Sequence, residues 1–190
     1  MTIMADVSAD ISELAAQIVA QASARNSPIV TAESCTGGMV AAALTDIAGS
    51  SAVLERGLVT YSNEAKMELL GVTTDTLAAH GAVSAECAAE MVAGALTKTQ
   101  PAMLAVAITG IAGPGGGSPE KPVGLVHFAS QRRGGTALLD KVVFAGDRAA
   151  VRAQATRHAL QLLAGLMQTS RHNWIRFKMT IKEPKVIFNI

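Results

Sequence analysis

An apolar run ends abruptly near the start of the chain, in the stretch Pro28 to Gly38, PIVTAESCTGG. Ile29 and Val30 read as a buried strand, and the glycines and Ala-rich segment that follow read as a sharp turn and a helix N-terminus. Ser34 sits at the junction, where its hydroxyl would be a nucleophile. Gly37 and Gly38 leave the backbone bare, so a ligand can approach closely, and the N–H groups of Cys35 and Thr36 would serve an oxyanion. A serine at a strand-to-helix turn is equally an ordinary helix cap. Cys35 is a rival nucleophile, because a helix N-terminus also lowers a thiol's pKa.

A serine needs a base. The stretch TYSNEAK (60–66) supplies a candidate in Lys66. With Ser62 or Asn63 as cap, Lys66 falls in the first turn of a short helix, where the macrodipole disfavours a cation and depresses its pKa. Burial would depress it further, toward the neutral amine that general-base catalysis requires. The ordinary alternative is a solvated surface lysine. Tyr61, the chain's one tyrosine, ends the preceding strand; its hydroxyl could relay a proton or orient the lysine, or the ring could simply half-bury.

The third stretch is TGIAGPGGGSPEKP, beginning at Thr109. It follows a buried strand, as a phosphate cradle would, yet no Gly-Lys-Ser/Thr closes it and its prolines forbid a following helix. Backbone amides here, with Thr109, Gly110, Ala112 and Gly113, would face an anionic or amide-bearing ligand. A flexible connection is the plainer reading, although so long a loop in a compact domain hints at function. Arg148, one residue into the last helix, would face a phosphate or else solvent. The four histidines form no metal-like spacing, and no metal is expected.

These residues need elements to hold them. Val7, Ile11, Leu14, Ile18 and Val19 repeat at helical spacing, and Asn26-Ser27-Pro28 ends that helix. Strand 29–33 follows, then a helix expected from about Cys35 to Ile47. Strand 53–61 leads to the Lys66 helix, closed by Gly71, and then to an irregular connection. Ser84 caps a helix whose one face carries Cys87, Ala88, Met91, Val92, Ala95 and Leu96. Met103–Ile108 is a continuous apolar strand. Strands 123–130 and 137–144 flank Arg132-Arg133-Gly134-Gly135, a hairpin signal that makes at least one strand antiparallel. Asp147 caps a last helix with Val151, Ala155, Leu162 and Leu166 as its stripe. This order predicts an α/β three-layer α/β/α sandwich around a mixed sheet of about five strands.

The composition agrees. The chain has 190 residues, room for one domain, and 49% hydrophobic but only 3% aromatic residues, so the core is aliphatic. A net charge of +1 gives no electrostatic reason to expect nucleic acid. No segment approaches the roughly 20 apolar residues of a membrane span. Two cysteines outside any disulfide framework, with no basic leader, point to the cytoplasm. Residues 168–190 differ from 1–167. They hold Trp174, Phe177 and Phe188 and five basic residues against one acidic, which suggests an interaction arm or an appended segment.

The motifs AESCTGG (32–38), TDIAGSS (45–51), YSNEAKMELLGV (61–72), HGAVS (80–84), TGIAGPGGGSPEKPVG (109–124) and FAGDRAAVR (144–152) resemble the CinA C-terminal domain family, the nicotinamide-mononucleotide deamidases. The resemblance spans roughly residues 8–167. It implies an α/β/α fold with one antiparallel strand, no cofactor, a homodimer, and hydrolysis of the carboxamide of nicotinamide mononucleotide. It further implies Ser34 as nucleophile, Lys66 as its base, Tyr61 as helper, the Thr109–Gly113 loop as pocket and Arg148 as a phosphate contact. A non-catalytic nucleotide-binding or regulatory module is the alternative reading of the same loops.

Overall fold

The computed structural model describes residues 2–168. The Val7 side chain and the basic tail from residue 169 onward lie outside the described residues. The helices are α1 (Thr2–Ala24), α2 (Met39–Thr45), α3 (Asn63–Leu70), α4 (Thr74–His80), α5 (Ala85–Lys98) and α6 (Arg148–Gln168). The strands are β1 (Ile29–Glu33), β2 (Leu54–Val59), β3 (Leu104–Gly110), β4 (Leu125–Arg132) and β5 (Leu138–Val143). They form one sheet in the order β2-β1-β3-β4-β5. β1 is parallel to β2 and β3, while β4 is antiparallel to both β3 and β5, so β4 alone is reversed.

Side-chain alternation builds the layers. On β3, Leu104, Val106 and Ile108 join Ile18 of α1 and Leu160 and Leu163 of α6 in one core. The intervening Ala105 and Ala107 face Met91 and Val92 of α5 with Val30 and Ala32 of β1. A period of two thus sends large residues to one face and small ones to the other, and the alanine face lets α5 settle close to the sheet. Each fully buried Leu or Ile contributes roughly 1.5–3 kcal/mol. The result is the three-layer sandwich. Among the described residues no helix is long and apolar enough to cross a membrane.

Close approach also brings α3 to the sheet's rim. A Cβ at Gly94 of α5 would run into the Leu70 carbonyl at the end of α3, so only glycine lets the two helices meet there. Ser62 caps α3, accepting from Ala65 N at 3.0 Å, and Ser84 caps α5, accepting from Cys87 N at 3.1 Å. Asp147 accepts from Ala150 N at 2.8 Å. The buried face of α5 matches the expected stripe, while in α1 Ile18 and Val19 are buried and Ile11 and Leu14 pack partly buried against the same core.

Three local expectations are corrected. The helix after β1 starts at Met39, not Cys35, because Gly37 and Gly38 adopt left-handed φ of 62° and 96° and use up the turn. The connection after Gly71 contains α4, capped by Thr73 through Thr76 N. In α6, Leu162 is only half-buried, since the buried face runs through Val151, Ala155, Ala159 and Leu163.

The hairpin between β4 and β5 does more than turn the chain. Arg133 donates to the carbonyls of Leu96 (2.7 Å), Thr99 (2.8 Å) and Ala102 (2.7 Å), closing the C-terminal end of α5. Cationic donors at these orphan carbonyls satisfy both their hydrogen bonds and the helix dipole. Arg133→Ala is expected to cost about 2 kcal/mol, seen as a fall in Tm of roughly 4–8 °C by calorimetry, with activity per folded molecule unchanged.

Candidate active site

The site forms where β1 and β3 end side by side. Glu33 is the last residue of β1, and its carbonyl accepts from Thr60 N at 2.8 Å. Ser34 N donates to Ile108 O of β3 at 2.9 Å, so sheet pairing continues as far as Ser34. The chain then turns, with Gly37 N donating to Ser34 O at 3.0 Å. Backbone bonds therefore fix the base of the Ser34 side chain before any side-chain contact is made.

Glu33 is fully buried, and its carboxylate accepts from Gly38 N (3.0 Å), Val40 N (3.1 Å), Ala41 N (2.9 Å) and Thr31 Oγ1 (3.2 Å). The start of α2 is thus capped by a strand residue, because Gly38 at its N-cap has no side chain to do so. These amides are taken and not open to a ligand. The free donors of the turn are instead the amides of Cys35 and Thr36, which donate to no other residue among the described residues.

Lys66 lies in the first turn of α3 and is 1% exposed. Its Nζ is 3.0 Å from Ser34 Oγ and donates to Thr60 O at 2.8 Å. No carboxylate pairs with it among the described residues. Burial pushes its pKa below the ordinary lysine value. A buried amine of lowered basicity against a serine hydroxyl is the pairing a serine nucleophile needs. Cys35 is buried as well, and burial pushes its thiol up to about 11, so it stays protonated at neutral pH.

The remaining expected residues surround a cleft of about 280 Å³ that Ser34, Cys35 and Lys66 line at its base. Gly110, Ala112 and Gly113 form one wall. Arg148 crosses the mouth, donating to Gly113 O at 2.7 Å and to the Tyr61 hydroxyl at 2.8 Å. Tyr61 is 60% exposed, and its hydroxyl partners this arginine and not the lysine, whose orientation comes from Thr60 and Ser34. Thr109 is buried and donates to Ala82 O at 2.7 Å, pinning Ala82 and Val83, which also line the cleft. Lys121 reinforces this, donating to His80 O (2.6 Å) and Val83 O (2.8 Å).

Thr36 and Gly37 differ from expectation. They are part of the turn but do not line the cleft, and Arg152 of α6 donates to the carbonyls of Cys35 (3.1 Å) and Thr36 (2.9 Å) there. The Thr36 hydroxyl is buried there without a partner among the described residues. Glu33, Lys121 and Arg152 were not singled out from the sequence. A signal existed for Arg152, which stands four residues after Arg148 and so shares its helix face. Among the described residues no three His, Cys, Asp or Glu side chains gather as a metal site.

A family model described as the CinA C-terminal domain matches residues 11–167. Nicotinamide-nucleotide amidohydrolase PncC of Escherichia coli (strain K12) is 54% identical over 154 residues, covering 81% of this chain and 93% of its own. A CinA-like protein of Anaeromyxobacter dehalogenans (strain 2CP-C) is 51% identical over 80% of this chain but only 36% of its own length. Among solved structures, competence/damage inducible protein CihA from Agrobacterium tumefaciens superposes with a TM-score of 0.82 at 51% identity, covering 84% of this chain and 96% of that one.

Proposed function

The chain belongs to the CinA C-terminal domain family, and we propose on that premise that it is an amidohydrolase converting nicotinamide mononucleotide to nicotinic acid mononucleotide and ammonia. The observation that carries this reading is the 3.0 Å approach of Lys66 Nζ to Ser34 Oγ at the base of the cleft, with the lysine buried and unpaired by any described carboxylate. Burying an amine without a counter-ion costs stability. A module that only bound nucleotides would have no use for that cost.

Neutral Lys66 takes the Ser34 proton as Oγ attacks the carboxamide carbon. The amide of Cys35, a residue that lines the cleft, holds the oxyanion, a contribution of about 3–4 kcal/mol for a well-placed donor. The Lys66 ammonium then protonates the leaving nitrogen, the C–N bond breaks and ammonia departs. Water attacks the acyl ester with Lys66 again as base, which releases the carboxylate and restores Ser34. The electron-poor pyridinium ring makes this amide more electrophilic than an ordinary one. Arg148 and the Thr109–Gly113 loop receive the substrate's phosphate and ribose, and Tyr61 holds Arg148 in place. On the same reading the protein works as a cytoplasmic homodimer without metal or cofactor.

The test is direct. Purified protein incubated with nicotinamide mononucleotide should release ammonia and nicotinic acid mononucleotide in equal amounts. Binding without release would favour the nucleotide-binding module. Removing the phosphate contact should act mainly on binding: Arg148→Met is expected to raise KM about 10- to 100-fold, as loss of a charge-assisted hydrogen bond does, with a smaller effect on kcat. An unchanged KM would remove Arg148 from the phosphate site.

A further inference from the structure

Arg152 belongs to no step above, yet it grips the one turn on which the proposed chemistry depends. It stands on the second turn of α6 and does not itself line the cleft. Nε donates to Cys35 O at 3.1 Å and Nη2 to Thr36 O at 2.9 Å. Both acceptors are backbone carbonyls within two residues of Ser34. In a planar trans peptide, C=O and the following N–H point in opposite directions. Holding the Cys35 carbonyl toward α6 therefore directs the Thr36 amide away from α6. Holding the Thr36 carbonyl likewise turns the Gly37 amide away from α6, and that amide donates to the Ser34 carbonyl at 3.0 Å, which orients the Cys35 amide. Glu33 meanwhile takes the amides of Gly38, Val40 and Ala41. The turn is sorted by polarity: carbonyls to Arg152, far-end amides to Glu33, and two amides left unclaimed among the described residues.

We infer that Arg152 is a positioning residue that holds the Ser34–Gly37 turn so that the Cys35 amide serves as the oxyanion donor for Ser34. This rests on the amidohydrolase reading for its substrate but on the turn alone for its geometry. Left-handed Gly37 gives the turn little stiffness of its own, and a Cβ there would stand 3.3 Å from Arg152 Nη2, so the guanidinium fills the space behind it. A planar, two-pronged donor is needed to hold two successive carbonyls at once. A lysine has a single compact head and can serve only one of them well.

The test uses the full chain as wild type, Arg152→Lys and Arg152→Met, with two readouts. The first is kcat and KM for ammonia release from nicotinamide mononucleotide. The second is the rate of covalent labelling by an alkyl fluorophosphonate, where Ser34 Oγ bonds to phosphorus, the P–F bond breaks, fluoride leaves and Lys66 takes the proton. That reaction also develops a phosphoryl oxyanion but needs no nucleotide pocket. Arg152→Met is expected to lower both kcat and the labelling rate constant on the order of 100-fold, the scale of a lost oxyanion donor, with KM within about three-fold of wild type. Arg152→Lys should recover part of that loss, and it carries the test should the methionine variant not fold. Labelling at the wild-type rate constant, with only the labelled fraction or Tm reduced, would make Arg152 a structural anchor and overturn the inference; so would wild-type protein that is not labelled at Ser34. Labelled wild type that releases no ammonia would instead defeat the substrate assignment, and the variants' labelling rates would still decide the role of Arg152.

Discussion

Ser34→Ala is expected to lower kcat for ammonia release by about 10³-fold or more while leaving the fold intact. Removal of a covalent nucleophile abolishes the acyl route altogether, and what remains is the modest catalysis that binding and oxyanion donors give on their own. The fold should survive because the bonds that shape the turn are backbone bonds, from Ser34 N to Ile108 O and from Gly37 N to Ser34 O, which alanine keeps. Lys66 would lose one partner but retain Thr60 O. Cys35→Ala is the matched control. A thiol held at about 11 is only about one part in 10⁴ thiolate at pH 7, so its loss should cost less than about ten-fold. Ammonia release and Tm measured on both variants decide the matter. Wild-type turnover by Ser34→Ala would end the serine mechanism, and a dead Cys35→Ala beside it would move the nucleophile to the neighbouring residue.

Lys66 carries the second large effect, and here activity and stability should move in opposite directions. Lys66→Met removes the base and is expected to reduce kcat about 10²- to 10⁴-fold. Lys66→Arg should be equally inactive, because a guanidinium stays charged and cannot accept the serine proton. On the proposed mechanism only the neutral amine works, so kcat/KM should rise with pH through the lowered lysine pKa and then level off. The stability sign follows from the same shift. Between the folded and the ordinary value the unfolded chain holds a proton that the folded chain lacks, so stability rises with pH across that window. Above it the penalty is absent, and below the folded value it is constant. Lys66→Met should lose that slope and exceed wild type in Tm at neutral pH, as charge burial without a partner would require. A flat activity profile, or a methionine variant that melts lower at every pH, would contradict a neutral buried base.

Much of this architecture can be read from residue order alone, for reasons that differ by element. β1, β3 and β4 are legible because their apolar runs are short and bounded by turn residues, and β2 and β5 because β-forming residues flank their polar centres. The caps at Ser62, Ser84 and Asp147 are legible because a short polar side chain before an amphipathic run has a local purpose. The start of α2 was not, since its cap comes from Glu33, five residues upstream of Gly38 and on a different element. Helix α4 carries no apolar periodicity and owes its existence to Thr73 and to Glu90 of α5, which accepts from Thr73 N at 2.8 Å. At the site, Ser34, Lys66 and the glycine loop were visible as isolated chemical oddities. That Tyr61 would turn to Arg148, and that Arg152 would hold the turn after Ser34, depends on where α6 crosses the sheet. Such contacts, separated by 87 and 117 positions, leave no local trace.

The reversal of β4 reaches beyond the drawing of the sheet. A parallel neighbour to β3 would need a crossover that carries the chain to the opposite end of the domain, so the intervening residues could not remain over the site. Because β4 runs backward, residues 111–124 depart and re-enter at one rim, between Gly110 and Leu125, which lie near each other across the ladder. Lengthening or exchanging that stretch need not disturb the pairing on either side of it. On the amidohydrolase reading, rewriting this single excursion changes the wall that meets the substrate, while the Ser34 hydroxyl and the Lys66 amine beneath it keep their places.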